Sequence, residues 1–177
     1  MSFSIQAFDR TRHQRAGFAC GQPALDAYLH KQATQDVTRH VAALFVITQN
    51  DDSHVLGYYT LSAFTITVHD MAHPLAQPII RKIPRYPLLP ATLIGRLAVD
   101  SRMQGQRLGE KLLVDALQRV IHISTQIATL AVVVDAIDER AVAFYEKYGF
   151  MPISDQPKRL FLPVASLVGL NSPTFSR

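Results

Sequence analysis

One cysteine is all the thiol this chain has. Cys20 stands alone among 177 residues, which excludes an internal disulfide and any metal site built on several cysteines. Charged residues are scarce at 18% while hydrophobic residues reach 48%, the reverse of a disordered composition. No apolar run approaches the ~18 residues of a membrane span. The opening segment MSFSIQAFDRTRHQR lacks the long apolar stretch of a signal peptide, so a cytoplasmic protein without a membrane partner is expected. Repeats and low-complexity tracts are also missing. Lys and Arg total 18 against 14 Asp and Glu, for a net charge of +4. That is a mild lean toward anionic partners such as nucleotide phosphates or nucleic acid. The length suits one domain spanning 1–177, with a core over about 3–163 and a C-terminal tail over 164–177 whose final dozen residues read as frayed.

The apolar pattern alternates between strand and helix periods. Residues 3–8 read as a short strand. Pro23 suits a first helical turn, and Leu25, Tyr28 and Leu29 recur at helical spacing toward Val37. VAALFVIT, the turn cluster QNDDS and HVLGYYTLSAFTITV make a hairpin over 41–68. Residues 70–90 carry Pro74, Pro78, Pro84, Pro87 and Pro90 and read as a long connection with one short helix, a length that is functional or mobile in most proteins. ATLIGRLAVD is a strand. From Leu108 the residues Leu112, Leu113, Ala116, Leu117, Val120 and Ile121 fall on one helix face. ATLAVVVDA is a buried strand, DERAVAFYEKYGF a short helix with an acidic start and a glycine stop, and KRLFLPV a last strand. This order predicts one α/β domain.

The segment RMQGQRLGEKLL, residues 102–113, bridges a strand end and a helix start. Such a first turn exposes unpaired backbone N–H groups and the positive end of the helix dipole. Small residues there let an anion, above all a pyrophosphate, approach the backbone. The competing reading is that Gly105 and Gly109 serve only a tight turn and a close helix–sheet contact. The spacing is wrong for a P-loop, which also needs Gly-Lys-Ser/Thr. A dinucleotide fingerprint is excluded by Arg107 and by the position late in the chain.

The segment resembles the acyl-CoA signature of the GNAT N-acetyltransferases, Gln/Arg-x-x-Gly-x-Gly/Ala, over Gln104, Gly105, Gln106, Arg107, Leu108 and Gly109. Arg107 stands where glycine is usual, and a helical φ is expected for it at a helix start. DERAVAFYEKYGF resembles the family's Asn-x-x-Ala-x-x-x-Tyr-x-x-x-Gly-Phe segment, with Asp138 in place of Asn as a helix cap and Tyr145 as the tyrosine. FACGQPALDAYL, GYYTLSAF, IGRLAVD, AVVVDAIDERAVAFY and RLFLPV together resemble the GNAT toxins of bacterial toxin–antitoxin pairs, which acetylate the amino group of aminoacyl-tRNA and stop translation. The resemblance covers about residues 3–163.

It implies a GNAT acyl-CoA N-acyltransferase fold, a mixed, mostly antiparallel sheet flanked by helices, with acetyl-CoA as co-substrate and no metal. Main-chain groups along Leu97, Ala98 and Val99 bond the pantetheine, and the amides from Gln104 to Gly109 hold the pyrophosphate. Tyr145 is the general acid that protonates the departing thiolate; an ordinary phenol near pKa ~10 matches that task. The alternative for Tyr145 is a core tyrosine at a helix end, and Tyr148 is read as packing. The acceptor amine needs only to be neutral, and a free α-amine titrates at about 7.7–8.0. Arg81, Lys82, Arg85 and Arg96 are candidates for the tRNA acceptor arm, a solvated loop being the alternative for the first three. A ribbon-helix-helix antitoxin and a homodimer are implied as partners.

Three rival functions share parts of these features. A housekeeping GNAT acetylating a small amine, a peptide N-terminus or a protein lysine has the same cofactor site. An acyl-CoA sensor has that site without needing Tyr145. The pair His69 and His73 has the i, i+4 spacing of a helical zinc site, but Asp70 replaces the protease glutamate, Pro74 follows and no third ligand stands out. Cys20 has no identifiable base beside it and reads as a structural thiol.

Overall fold

The computed structural model describes residues 2–168 apart from 51, 84 and 157. Strands β1 (Phe3–Ala7), β2 (Ala43–Gln49), β3 (Gly57–Thr67), β4 (Leu88–Val99), β5 (Ala131–Asp135), β6 (Met151–Pro152) and β7 (Arg159–Pro163) form a seven-stranded sheet in the order β1-β2-β3-β4-β5-β7-β6. The helices are α1 (Pro23–Ala27), α2 (Ala33–Thr38), α3 (Gln77–Ile80), α4 (Leu108–Ser124), α5 (Glu139–Lys147) and α6 (Val164–Val168). The chain divides into two compact units, Met1–Ser62 with Ile94–Ala116, and Ala63–Leu93 with Leu117–Arg177.

In the first unit β1, β2 and the start of β3 pair antiparallel, with Ile5 opposite Ile47 and Phe45 opposite Tyr59. The expected hairpin is therefore present. α1 runs through a π-helical turn, Tyr28–Gln32, into α2. Phe18, Tyr28, Leu29 and Ala33 pack with Leu44, Val46, Tyr58 and Ala98 as one core. Gly57 opens β3 where a Cβ would come within 2.9 Å of the Ala98 carbonyl and 3.0 Å of the Ile47 and Leu112 side chains. Only glycine fits that approach without a shift.

In the second unit β5 is buried from Ala131 to Val134 and pairs antiparallel with β7, Val133 opposite Phe161. Ile66, Met71, Ala76, Leu89, Ala91 and Ile153 join Ala131, Val133 and Phe161 in its core. The proline-rich connection holds α3 and two 3-10 turns, Val68–Asp70 and Pro74–Ala76, close to the expected single short helix. Two features depart from the sequence reading. β6 is two residues long, too short to leave a periodic signal. The C-terminal tail, whose final dozen residues read as frayed, begins as α6, with Val164 and Leu167 buried; residues 169–177 of that tail lie outside the described residues.

Helix α4 buries most of the face read from its spacing: Leu112, Leu113, Ala116, Leu117 and Val120 are buried, while Ile121 is only half-buried. Helix α5 has both ends closed. Asp138 accepts the Ala141 N–H at 2.8 Å, the side-chain cap expected there. At the other end the Phe150 N–H bonds the Tyr145 carbonyl and the Gly149 N–H bonds the Glu146 carbonyl, with Gly149 at φ +90. This paired pattern is the Schellman motif.

Candidate active site

The end of β4 is held by a buried carboxylate. Asp100 is fully buried and accepts the Arg102 N–H at 3.0 Å, Arg102 Nε at 2.8 Å, Arg102 Nη2 at 2.9 Å and the Ala19 N–H at 3.3 Å. These bonds hold its carboxyl below the ordinary 3.8, the Arg102 side chain contributing most. The segment 17–20 is stitched to the same turn: the Ser101 N–H donates to the Ala19 carbonyl, Arg102 Nη2 to Gly17, and Gln104 Nε2 to Cys20 at 3.0 Å. Asp100 escaped the sequence reading, which saw only a strand end. Asp-Ser after a strand is nonetheless an Asx-turn signal.

From this anchor the backbone winds into α4 through unusual conformations. Gln104 is extended, Gly105 has φ +81 and Arg107 φ +59. The expected helical φ at Arg107 is thus corrected: the residue is left-handed, because the chain must reverse sharply before its carbonyl accepts the first helical bond, from the Lys111 N–H at 3.1 Å. The usual glycine would adopt this conformation freely, whereas arginine is strained there by about 1–2 kcal/mol. The amides of Leu108, Gly109 and Glu110 precede the helical ladder, so they are the first-turn donors with no partner inside the helix. Left-handed residues in a turn ahead of a helix can gather N–H groups into a concavity suited to an anion. Gln104 and Gln106 contribute main chain here. Their side chains are committed elsewhere, Gln104 to Cys20 and Gln106 Nε2 to Met103 Sδ at 3.8 Å.

On β4, Leu97 and Val99 are half-buried while the Ala98 side chain lies in the core of its unit, so Ala98 offers only its backbone. The Val99 carbonyl receives Gln104 Nε2 at 3.4 Å. Arg96 is half-buried with its guanidinium carbon 3.6 Å from the centre of the Tyr28 ring. Cys20 is buried, and burial pushes its thiol up to about 11. Such a thiol carries little thiolate at neutral pH, in keeping with the structural role read from the sequence.

In the second unit Tyr145 lies on the last turn of α5, buried, its ring edge-on to Phe144 at 5.2 Å and to Phe150 at 5.4 Å. Burial raises its phenol above the ordinary value of 10. The free-phenol match is corrected accordingly: this hydroxyl is a weaker acid, fully protonated at neutral pH. Tyr148 packs edge-on against Phe144 at 5.2 Å. Arg81, Lys82 and Arg85 are exposed in the proline-rich connection. His69 lies in the Val68–Asp70 turn, whereas His73 caps the Pro74–Ala76 turn from outside it, its Nδ1 accepting the Leu75 N–H at 3.2 Å. They do not share the helix face that a zinc pair needs, and no group of three His, Cys, Asp or Glu among the described residues is placed to hold a metal ion.

Comparison with known proteins bears on this arrangement. An acetyltransferase (GNAT) domain matches residues 89–162. The chain is 34% identical over 173 residues to a protein named probable toxin TacT from Sinorhizobium fredii, covering 94% of this chain and 93% of that one. It is 34% identical over 145 residues to a tRNA-acetylating toxin of Mycobacterium tuberculosis, covering 82% of each. Among solved structures it resembles AtaT complexed with acetyl-methionyl-tRNAfMet (TM-score 0.86, 28% identity, 97% of this chain and 100% of that one). It also resembles AtaTR bound with AcCoA (TM-score 0.82, 28% identity, 96% and 98%). The seven-stranded sheet, the turn of free amides ahead of α4 and these whole-chain likenesses lead to one conclusion: the chain belongs to the GNAT acetyltransferase family, as kin of the TacT-type and tRNA-acetylating toxins.

Proposed function

We propose that this protein transfers acetyl from acetyl-CoA to the amino group of aminoacyl-tRNA and so blocks translation. What carries the reading is kinship over 94% of the chain to a probable toxin TacT and over 82% of it to a tRNA-acetylating toxin. The turn ahead of α4, with left-handed Gly105 and Arg107, suits a diphosphate, so the residues present fit the co-substrate. The amides from Gln104 to Gly109 would hold the diphosphate, and the main chain of Leu97, Ala98 and Val99 the pantetheine. Arg107 has a guanidinium able to add a charge-assisted bond to phosphate. The family is one of acetyltransferases, and acetyl-CoA supplies the acetyl thioester.

Tyr145 serves as general acid. It is protonated at working pH and, being neutral, it does not favour the ammonium form of the acceptor. Donation from its hydroxyl to the leaving sulfur lets the thiol depart while the attacking amine gives its proton to water. Arg81, Arg85 and Arg96 are assigned to the acceptor arm, where phosphate contacts are indifferent to sequence. The partners we infer are an antitoxin of ribbon-helix-helix type and a second copy of this chain. We read residues 1–177 as one catalytic domain, because β3, β4 and α4 each run through both units.

The test is to incubate the protein with acetyl-CoA and a pool of charged tRNA, and to analyse the aminoacyl ends by mass spectrometry. N-acetylated aminoacyl-tRNA is expected, together with growth arrest on expression. Acetylation of small amines, peptide N-termini or lysines with charged tRNA untouched would favour a housekeeping acetyltransferase instead.

A further inference from the structure

Arg96 projects from β4 onto the Tyr28 ring at 3.6 Å, near enough to fix the plane of the guanidinium. Among the described residues no carboxylate or carbonyl takes up its N–H groups. Tyr28 is placed by the π turn: the Ala33 N–H reaches back to the Tyr28 carbonyl, and the displaced Leu29 carbonyl is taken by Arg15 Nη1 at 2.8 Å. Such turns recur at functional positions. The Tyr28 ring stacks on Tyr58 at 6.2 Å, and Tyr58 is tied by its hydroxyl to the Leu25 carbonyl at 2.8 Å. Burial and the nearby Asp36 carboxylate push the Tyr28 phenol up to about 12, so the support is a neutral ring. The result is a half-buried guanidinium of fixed orientation with unspent donors.

We propose that Tyr28 is a positioning residue that presents Arg96 to one backbone phosphate of the acceptor tRNA, the phosphate joining the esterified terminal nucleotide to its neighbour. This rests on the acetyl-transfer reading. Arg96 adjoins Leu97, whose main chain is assigned there to the thioester arm. An amine esterified to the terminal ribose has that phosphate as its nearest anion. The planar fork of arginine matches two phosphate oxygens, and a plane set in advance lowers the cost of ordering.

The test measures kcat/KM for acetylation of aminoacyl-tRNA as a function of KCl concentration. Arg96→Gln should lower kcat/KM about 10- to 100-fold through a charge-assisted bond lost. It should also flatten the slope against log KCl by about one unit, with acetyl-CoA affinity kept. Tyr28→Leu should reproduce both effects, and Tyr28→Phe, which keeps the ring, should restore most of the activity. An unchanged salt slope in Arg96→Gln overturns the phosphate contact, and so does a parallel loss of acetyl-CoA affinity. Equal damage from Tyr28→Phe and Tyr28→Leu overturns the positioning role. A wild-type protein that binds acetyl-CoA yet leaves charged tRNA unmodified overturns the functional reading itself, a result these variants do not imitate.

Discussion

The Asp100 carboxylate and the Arg102 guanidinium meet at 2.8 and 2.9 Å, one buried and the other reaching out to solvent. The pair closes the turn between β4 and the left-handed residues ahead of α4. Asp100→Asn removes the charge while keeping the shape. Stability should fall by about 1–3 kcal/mol and acetyl-CoA affinity with it, read by thermal unfolding and calorimetry. Because the folded carboxyl titrates below the ordinary 3.8, its stabilisation is complete above that pH and is lost as the pH falls through the folded value. The difference between wild type and variant should therefore narrow below about pH 4.

Arg107 at φ +59 separates strain from binding. Arg107→Gly should raise unfolding stability by about 1 kcal/mol by relieving the left-handed conformation, whereas Arg107→Ala should bring no such gain. If the guanidinium meets phosphate, both variants should weaken acetyl-CoA binding alike. Unfolding midpoints and calorimetric Kd values, measured together, decide the matter.

For Tyr145→Phe the aromatic contacts with Phe144 and Phe150 survive, so the melting curve should be nearly unchanged. Turnover should drop at least about 100-fold while acetyl-CoA binding is kept. In the wild type the rate should rise as the acceptor amine loses its proton, at a pH below the about 7.7–8.0 of a free α-amine, because the ester withdraws electrons from it. No falling limb should appear up to about pH 10, because burial holds the phenol above its ordinary value. A falling limb at lower pH would point to another acid.

His13 is a buried acid sensor of stability. Its Nδ1 accepts the Asp9 N–H at 2.9 Å, so the ring is neutral, and burial lowers its value below the ordinary 6.5. The stabilisation is present above 6.5 and is lost as the pH falls through the folded value. His13→Asn, with an amide oxygen to replace Nδ1, should flatten that part of the stability profile in denaturant titrations from pH 7 to 4.

Helix α4 shows how much was legible from spacing. Its apolar residues follow the helical period, so the buried face could be named in advance, and Asp138 and Gly149 marked the ends of α5 because caps need particular residue types. The left-handed backbone at Arg107 was not legible, since arginine favours a helical φ and only the tight return of the chain enforces the other well. Asp100 was missed because its partners Ala19 and Arg102 come from two segments, one of them far away in the sequence.

The sequence by itself determined the longer strands and helices, though not β6 or α6, the glycine-and-amide turn ahead of α4 and the tyrosine near the end of α5, because periodicity, capping and turn chemistry act over a few residues. The tertiary structure alone decided which acid is buried, that the Tyr145 phenol is raised, and that Arg96 rests on Tyr28 with its donors unclaimed among the described residues. Those properties depend on desolvation and on contacts between segments distant in the chain, and local sequence carries no record of either.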